Sequence, residues 1–212
     1  MTDDSELLTA GRSITEPEPA LTASDLFDAQ AHGRLPKTNE IARFQDSGVD
    51  PDALLHPHPL RGDQVVFLSE GLFEFARHLE DTNSTVEPAF TLVVTTTYGA
   101  IDIVAWQPQA NRIGLWLNRA VALGEEQILA PRLGDEALAV WRTPMDWLRA
   151  RRRGIVILRP SAAFFYLRDV PSLYAENFAH AEELERVLNP PKAKTEIRLP
   201  DRRRNNDRSA AA

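Results

Sequence analysis

The chain has 212 residues, 43% of them hydrophobic and none of them cysteine, so it can build a core while disulfides, thiolate metal sites and a cysteine nucleophile are excluded. Its net charge of −7 is uneven: residues 1–60 hold eleven Asp or Glu against four Lys or Arg, whereas residues 61–212 hold twenty of each. The start, MTDDSELL, is acidic where a secretory signal is basic, and no apolar run approaches the roughly 20 residues of a membrane span, so a cytoplasmic protein without membrane association is expected.

Residues 1–61 read as an acidic, proline-rich arm. Pro17, Pro19, Pro36, Pro51, Pro57 and Pro59 interrupt every element, and too little apolar surface is available to offset about 1–2 kcal/mol of backbone ordering entropy per residue. The arm is expected to be mostly disordered. Its exception is Thr22–Gly33, where Ser24 would cap a short helix carrying Leu26, Phe27 and Ala31, a docking motif.

Residues 62–189 read as one α+β domain. Val65–Leu68 is a strand, and Leu72, Phe75, Ala76 and Leu79 then recur at helical spacing. After a loop, Phe90–Trp106 forms a hairpin, and Arg112–Leu117 adds a third strand of a meander. Arg119–Glu136 is broken by Gly124, Pro131 and Gly134. Ala137–Trp141 is a strand, and Pro144–Arg153 is a helix with Thr143 as N-cap, Pro144 at its first position and Gly154 as its stop. The remainder alternates: strand Ile155–Leu158, helix Ser161–Arg168, strand Ser172–Ala175 and closing helix Asn177–Leu188, with Phe178, Ala181, Leu184 and Leu188 on its apolar face. An antiparallel hairpin and meander followed by β-α-β-α order implies a mixed sheet. Residues 190–212 form a basic tail expected to be disordered.

The hairpin carries the most interesting carboxylate, Asp102. A two-residue loop with Gly first, Gly99-Ala100, is a type II′ signature and pairs Thr97 with Asp102; sliding the loop to Tyr98-Gly99 pairs Thr95 with it instead. Either register puts Asp102 among threonine hydroxyls on a polar face, opposite a core face of Phe90, Leu92, Val94, Ile101, Ile103 and Ala105. Trp106 falls on the Asp102 face, so it belongs to a second packing layer or to a contact surface.

The segment Asp102-Ile103-Val104-Ala105-Trp106 resembles the strand that brings the metal-binding aspartate into restriction-endonuclease-like nucleases. The resemblance covers this hairpin and the next strand, and implies a second carboxylate and a lysine spaced Glu-x-Lys on that strand, to complete Mg²⁺ ligation and orient water. Here the strand reads Leu115-Trp116-Leu117-Asn118, no lysine lies between Lys37 and Lys192, and the nearest carboxylates are Glu125 and Glu126.

The histidines offer little. His56 and His58 sit in a Pro-rich HPHPL stretch that reads as a solvated linker, and His180 lies one helical turn from Glu176 and Glu183, which suggests surface pairing. The densest charge cluster is Arg149, Arg151, Arg152 and Arg153, whose guanidinium groups complement the negative end of a helix dipole and also suit acidic partners. Arg202, Arg203 and Arg204 repeat that chemistry in the tail.

The sequence therefore reads as a non-catalytic binding or adaptor protein, without cofactor or metal. It would contact a protein partner or nucleic acid through Arg149, Arg151, Arg152, Arg153, Arg202, Arg203 and Arg204. The alternative is a metal-dependent phosphodiesterase or nuclease-like enzyme built on Asp102, Glu125 and Glu126.

Overall fold

A computed structural model describes residues 21–79, 84–130 and 136–189. The fold is α+β, with helices packed on two sheets. The expected arms, residues 1–20 and 190–212, fall outside the described residues, and so do Arg202, Arg203 and Arg204.

Residues 21–61 are part of the packed body, which corrects the boundary expected near residue 62. They form α1 (Ala23–Ala31), α2 (Thr38–Asp46) and α3 (Asp52–Leu55). Thr22, rather than Ser24, caps α1 in a capping box with Asp25. Leu26, Phe44, Leu54 and Leu60 are buried in the two clusters that flank the first sheet. The prolines do not prevent this, because Pro36 precedes α2 and Pro51 is the N-cap residue of α3; neither lies inside a helix. Polar ties fasten the segment: Gln30 Nε2 donates to the carbonyls of Pro59 and Thr91, and Arg34 and Gly62 exchange backbone hydrogen bonds.

The first sheet is antiparallel, in the order β2 (Phe73–Phe75), β1 (Arg61–Phe67), β3 (Glu87–Thr96), β4 (Gly99–Gln107), β5 (Arg112–Leu115). It curls until its two edges meet, where Leu72 bridges to Leu115. Gly114 permits that approach: a Cβ there would lie 3.1 Å from the Leu72 carbonyl, the Phe67 ring and Phe73 Cβ. The expected helix over Leu72–Leu79 is instead β2 followed by a 3₁₀ turn, Ala76–His78. Pairing Phe73 and Phe75 with Phe67 and Val65 buries both rings, which a lone helix turn would not do.

The hairpin register differs from both expected ones. Thr96 pairs with Gly99, leaving Thr97 and Tyr98 as the loop, and a bulge follows at Ile101, so that Val94 lies opposite Asp102. The extra residue changes the parity of β4. Phe90, Leu92 and Val94 therefore share a face with Trp106, Val104 and Asp102, and that face packs against α2, α3 and the second half of the chain. Trp106 belongs to this second packing layer, with its ring against Phe44. The opposite face, with Val93, Ile103 and Ala105, packs on α1.

The second sheet is mixed, in the order β6 (Ala122–Leu123), β8 (Ile155–Ile157), β7 (Leu138–Trp141), β9 (Leu173–Ala175). β7 runs parallel to β8 and β9, and β6 antiparallel to β8. Between these strands lie α4 (Pro144–Arg149) and α5 (Pro160–Leu167), and α6 (Phe178–Leu188) closes the domain. The buried face of α6 is set by His180 and Leu184, not by Phe178, which is 80 % exposed. His180 accepts the Glu176 N–H at Nδ1 and is not a surface partner for Glu183, which pairs with Arg142. Among the described residues no helix is long and apolar enough to cross a membrane.

Candidate anion-binding site

The arginine string is split by the way α4 ends. Thr143 caps the helix through the Asp146 N–H and Pro144 opens it, as expected, but the helix stops at Arg149 rather than Arg153. Arg151 and Arg152 then adopt left-handed backbone, with φ of +53° and +58°, and Gly154 follows at +84°. Such a run costs non-glycine residues about 1–2 kcal/mol each. Interior bonds hold it: Trp147 Nε1 donates to the Gly154 carbonyl, Trp141 Nε1 to that of Arg153 and Gln127 Nε2 to that of Arg152, while Gly154 N donates to Gln127 Oε1.

The four guanidinium groups consequently diverge. Arg149 donates to the Ser47 carbonyl and pairs with Asp146; Arg151, 70 % exposed, pairs with Asp50. Arg153 is exposed. Arg152 turns inward and is only 8 % exposed; its Nε donates to the Ala53 carbonyl at 2.7 Å and its Cζ lies 5.4 Å from the Trp147 ring centroid. Its Nη2 is buried and has no partner among the described residues. Burial lowers its pKa to about 10, partly countered by Glu126, so it remains charged at neutral pH.

Arg152 lines a cavity of about 480 Å³ between α3, β3, the 3₁₀ turn Glu125–Gln127 and the end of α4. Ala53, His58, Thr95, Glu126 and Trp147 contribute to its walls, with Asp52, His56 and Arg151 also lining it. His58 is half-buried against the Phe27 ring and is no solvated linker. Burial depresses its pKa, and the positive charge of Arg152 depresses it further. Thr95 Oγ1 and Gln127 Nε2 each donate to the Glu126 carboxylate at 3.4 Å.

Asp102 and Glu125 have a different task. Asp102 is 0 % exposed, and the expected hydrated threonine face is corrected by its surroundings. Its Oδ1 accepts the N–H groups of Ile103 and Leu117, and its Oδ2 those of Arg119 and Ala120, at 2.7–3.0 Å. Glu125 is also buried, and its Oε2 accepts from Val121 and Ala122. Burial raises its pKa against the lowering effect of those two bonds, and the charges of Asp102 and Glu126 raise it further. Glu126, on the same turn, faces the cavity instead. Among the described residues no group of three or more metal-ligating side chains comes together.

Comparison with protein-family models, with curated proteins and with solved structures finds no match for this chain.

Arg152 was visible in the sequence only as one of four apparently equivalent arginines. Nothing in the sequence brought His58, Thr95 and Ala53 to one place, because their proximity depends on the curl of the first sheet and on the docking of α3. The one local clue was Gly154. A glycine directly after consecutive arginines also suits a left-handed exit from an earlier helix end.

Proposed function

We propose that the chain is a non-catalytic binding protein that takes an anionic group of its ligand in the cavity lined by Arg152. The observation that carries this reading is the buried Nη2 of Arg152, charged and without a partner among the described residues. A buried polar group left unpaired costs roughly 1–3 kcal/mol, more when charged, and an acidic ligand on the cavity side of the guanidinium offsets part of that cost through its charge. Arg149 and Arg151 already have carboxylate partners, so a nucleic-acid backbone or acidic protein surface laid across the outer arginines is less well supported. The volume also suits a small ligand, since pockets of about 300–1,000 Å³ take such molecules.

The metal-dependent alternative has weaker support. Both oxygens of Asp102 accept two backbone N–H bonds each, an arrangement that holds a loop in place. Titration of the 212-residue chain with acetate and inorganic phosphate, followed by calorimetry and tryptophan fluorescence, tests the reading. Arg152→Met is expected to weaken binding by about tenfold or more, with Arg153→Gln unchanged. Equal affinities in wild type and Arg152→Met would overturn it.

A further inference from the structure

The cavity that holds Arg152 also holds Glu126, and the two opposite charges do not meet. The ion pairs of this region are Arg149 with Asp146, Arg151 with Asp50 and, when the imidazole is protonated, His56 with Asp52; none joins Arg152 to Glu126 among the described residues. They are nevertheless close enough to sense one another, because the charge of Glu126 favours the protonated forms of both Arg152 and His58. Two free side chains of opposite sign in a half-buried cavity would close on each other.

Anchors keep these two apart. Arg152 is tethered at Nε to the Ala53 carbonyl, and its backbone is held by Gln127. Glu126 sits on a 3₁₀ turn whose start is pinned by Glu125 bonding back to Val121 and Ala122, and its own carboxylate receives only long bonds from Thr95 and Gln127. The walls therefore present a tethered donor cation and an acceptor anion that is not paired with it. A plain dianion satisfies the first and is repelled by the second.

Building on the anion-binding reading above, we infer that the cavity selects a small zwitterion, an amino-acid-like molecule with its acidic group on Arg152 and its ammonium group on Glu126. His58, uncharged and packed on Phe27, adds a wall without a competing charge. Thr95 supplies a hydroxyl beside the ammonium end.

The experiment is calorimetric titration of the full chain with glycine, β-alanine, γ-aminobutyrate and ε-aminocaproate, each matched to acetate, propionate, butyrate or caproate. One amino acid of the series is expected to bind about tenfold or more tightly than its matched carboxylate. Glu126→Gln should erase that advantage while leaving carboxylate affinity unchanged or higher, and Arg152→Met should abolish binding of both sets. If every amino acid binds no better than its matched carboxylate, and Arg152→Met still removes carboxylate binding, selection of a zwitterion is wrong and the anion reading stands. Carboxylate and amino-acid binding that both survive Arg152→Met, or that are both absent from the wild type, would overturn the two together.

Discussion

Asp102 and Glu125 divide between them the backbone donors of the connection that links the two sheets. Asp102 takes the N–H groups of Leu117, Arg119 and Ala120, and Glu125 takes those of Val121 and Ala122. Five N–H groups that β5 and β6 leave unpaired are thereby satisfied by two side chains inside the protein. The charge of Asp102 also raises the cost of charging Glu125, so substitution of the two carboxylates has different consequences.

Asp102→Asn is expected to destabilise the fold by about 2–4 kcal/mol, because in either amide orientation the new NH₂ meets two backbone donors. In a chain of this size that lowers Tm by roughly 5–15 °C. Thermal denaturation of the variant checks it; an unchanged Tm would mean that the carboxylate is not what holds the connection.

Glu125→Gln should behave oppositely as the pH rises. The folded pKa of Glu125 lies above its unfolded value of about 4.3, so the folded state holds more protons in that window, and the stability Glu125 contributes is complete below the unfolded value and is lost as pH rises through the folded one. A neutral glutamine keeps an acceptor for Val121 and Ala122 without that loss. The difference in Tm, variant minus wild type, is therefore expected to grow from acid toward neutral pH, and a difference that is flat with pH would contradict the assignment.

The helices before β1 are expected to be indispensable. A chain beginning at Gly62 lacks Leu26, Phe44, Leu54 and Leu60, and exposes both faces of the first sheet. Urea denaturation of that fragment should show no cooperative transition. A cooperative, near-native unfolding curve would restore the boundary that the proline pattern suggests.

His58 should couple ligand binding to protons. Its folded pKa is depressed, so its contribution to stability is complete above the unfolded value of about 6.5 and is lost as pH falls toward the folded value. A bound anion beside Arg152 offsets the positive charge that His58 faces and makes its protonation easier. Anion affinity is therefore expected to strengthen as pH falls through the range in which His58 takes up its proton, and His58→Gln should flatten that dependence. Asp52, His56 and Glu126 also line the cavity.

The elements of the second half were legible because each carries its own punctuation. Thr143 and Pro144 open α4, Asn177 caps α6, and the short runs around Val140 and Val156 have no other use than as buried strands. The first half was not legible in the same way. Phe73 and Phe75 alternate over too few residues to outweigh the helical spacing of Leu72, Phe75, Ala76 and Leu79, and their pairing with β1 decides the outcome. The bulge at Ile101 leaves no local mark, yet it moves Asp102 from an expected hydrated face into the core. The candidate site suffered from the same cause, since four segments far apart in the chain meet only after the sheet has curled.

The closing contact between Leu72 and Leu115 bears on solubility as well as on shape. The outermost strands touch at that one bridge, and the ten-residue strand Glu87–Thr96, rich in valine and threonine, is kept at the centre of the sheet with a partner on each side. The outer strands of the other sheet, Ala122–Leu123 and Leu173–Ala175, are too short to template a fibril. A side chain at Gly114 would force the seam to give by a few tenths of an ångström, because its Cβ would meet Leu72, Phe67 and Phe73 at 3.1 Å. Self-association of this chain would then begin at a seam that only a glycine lets shut.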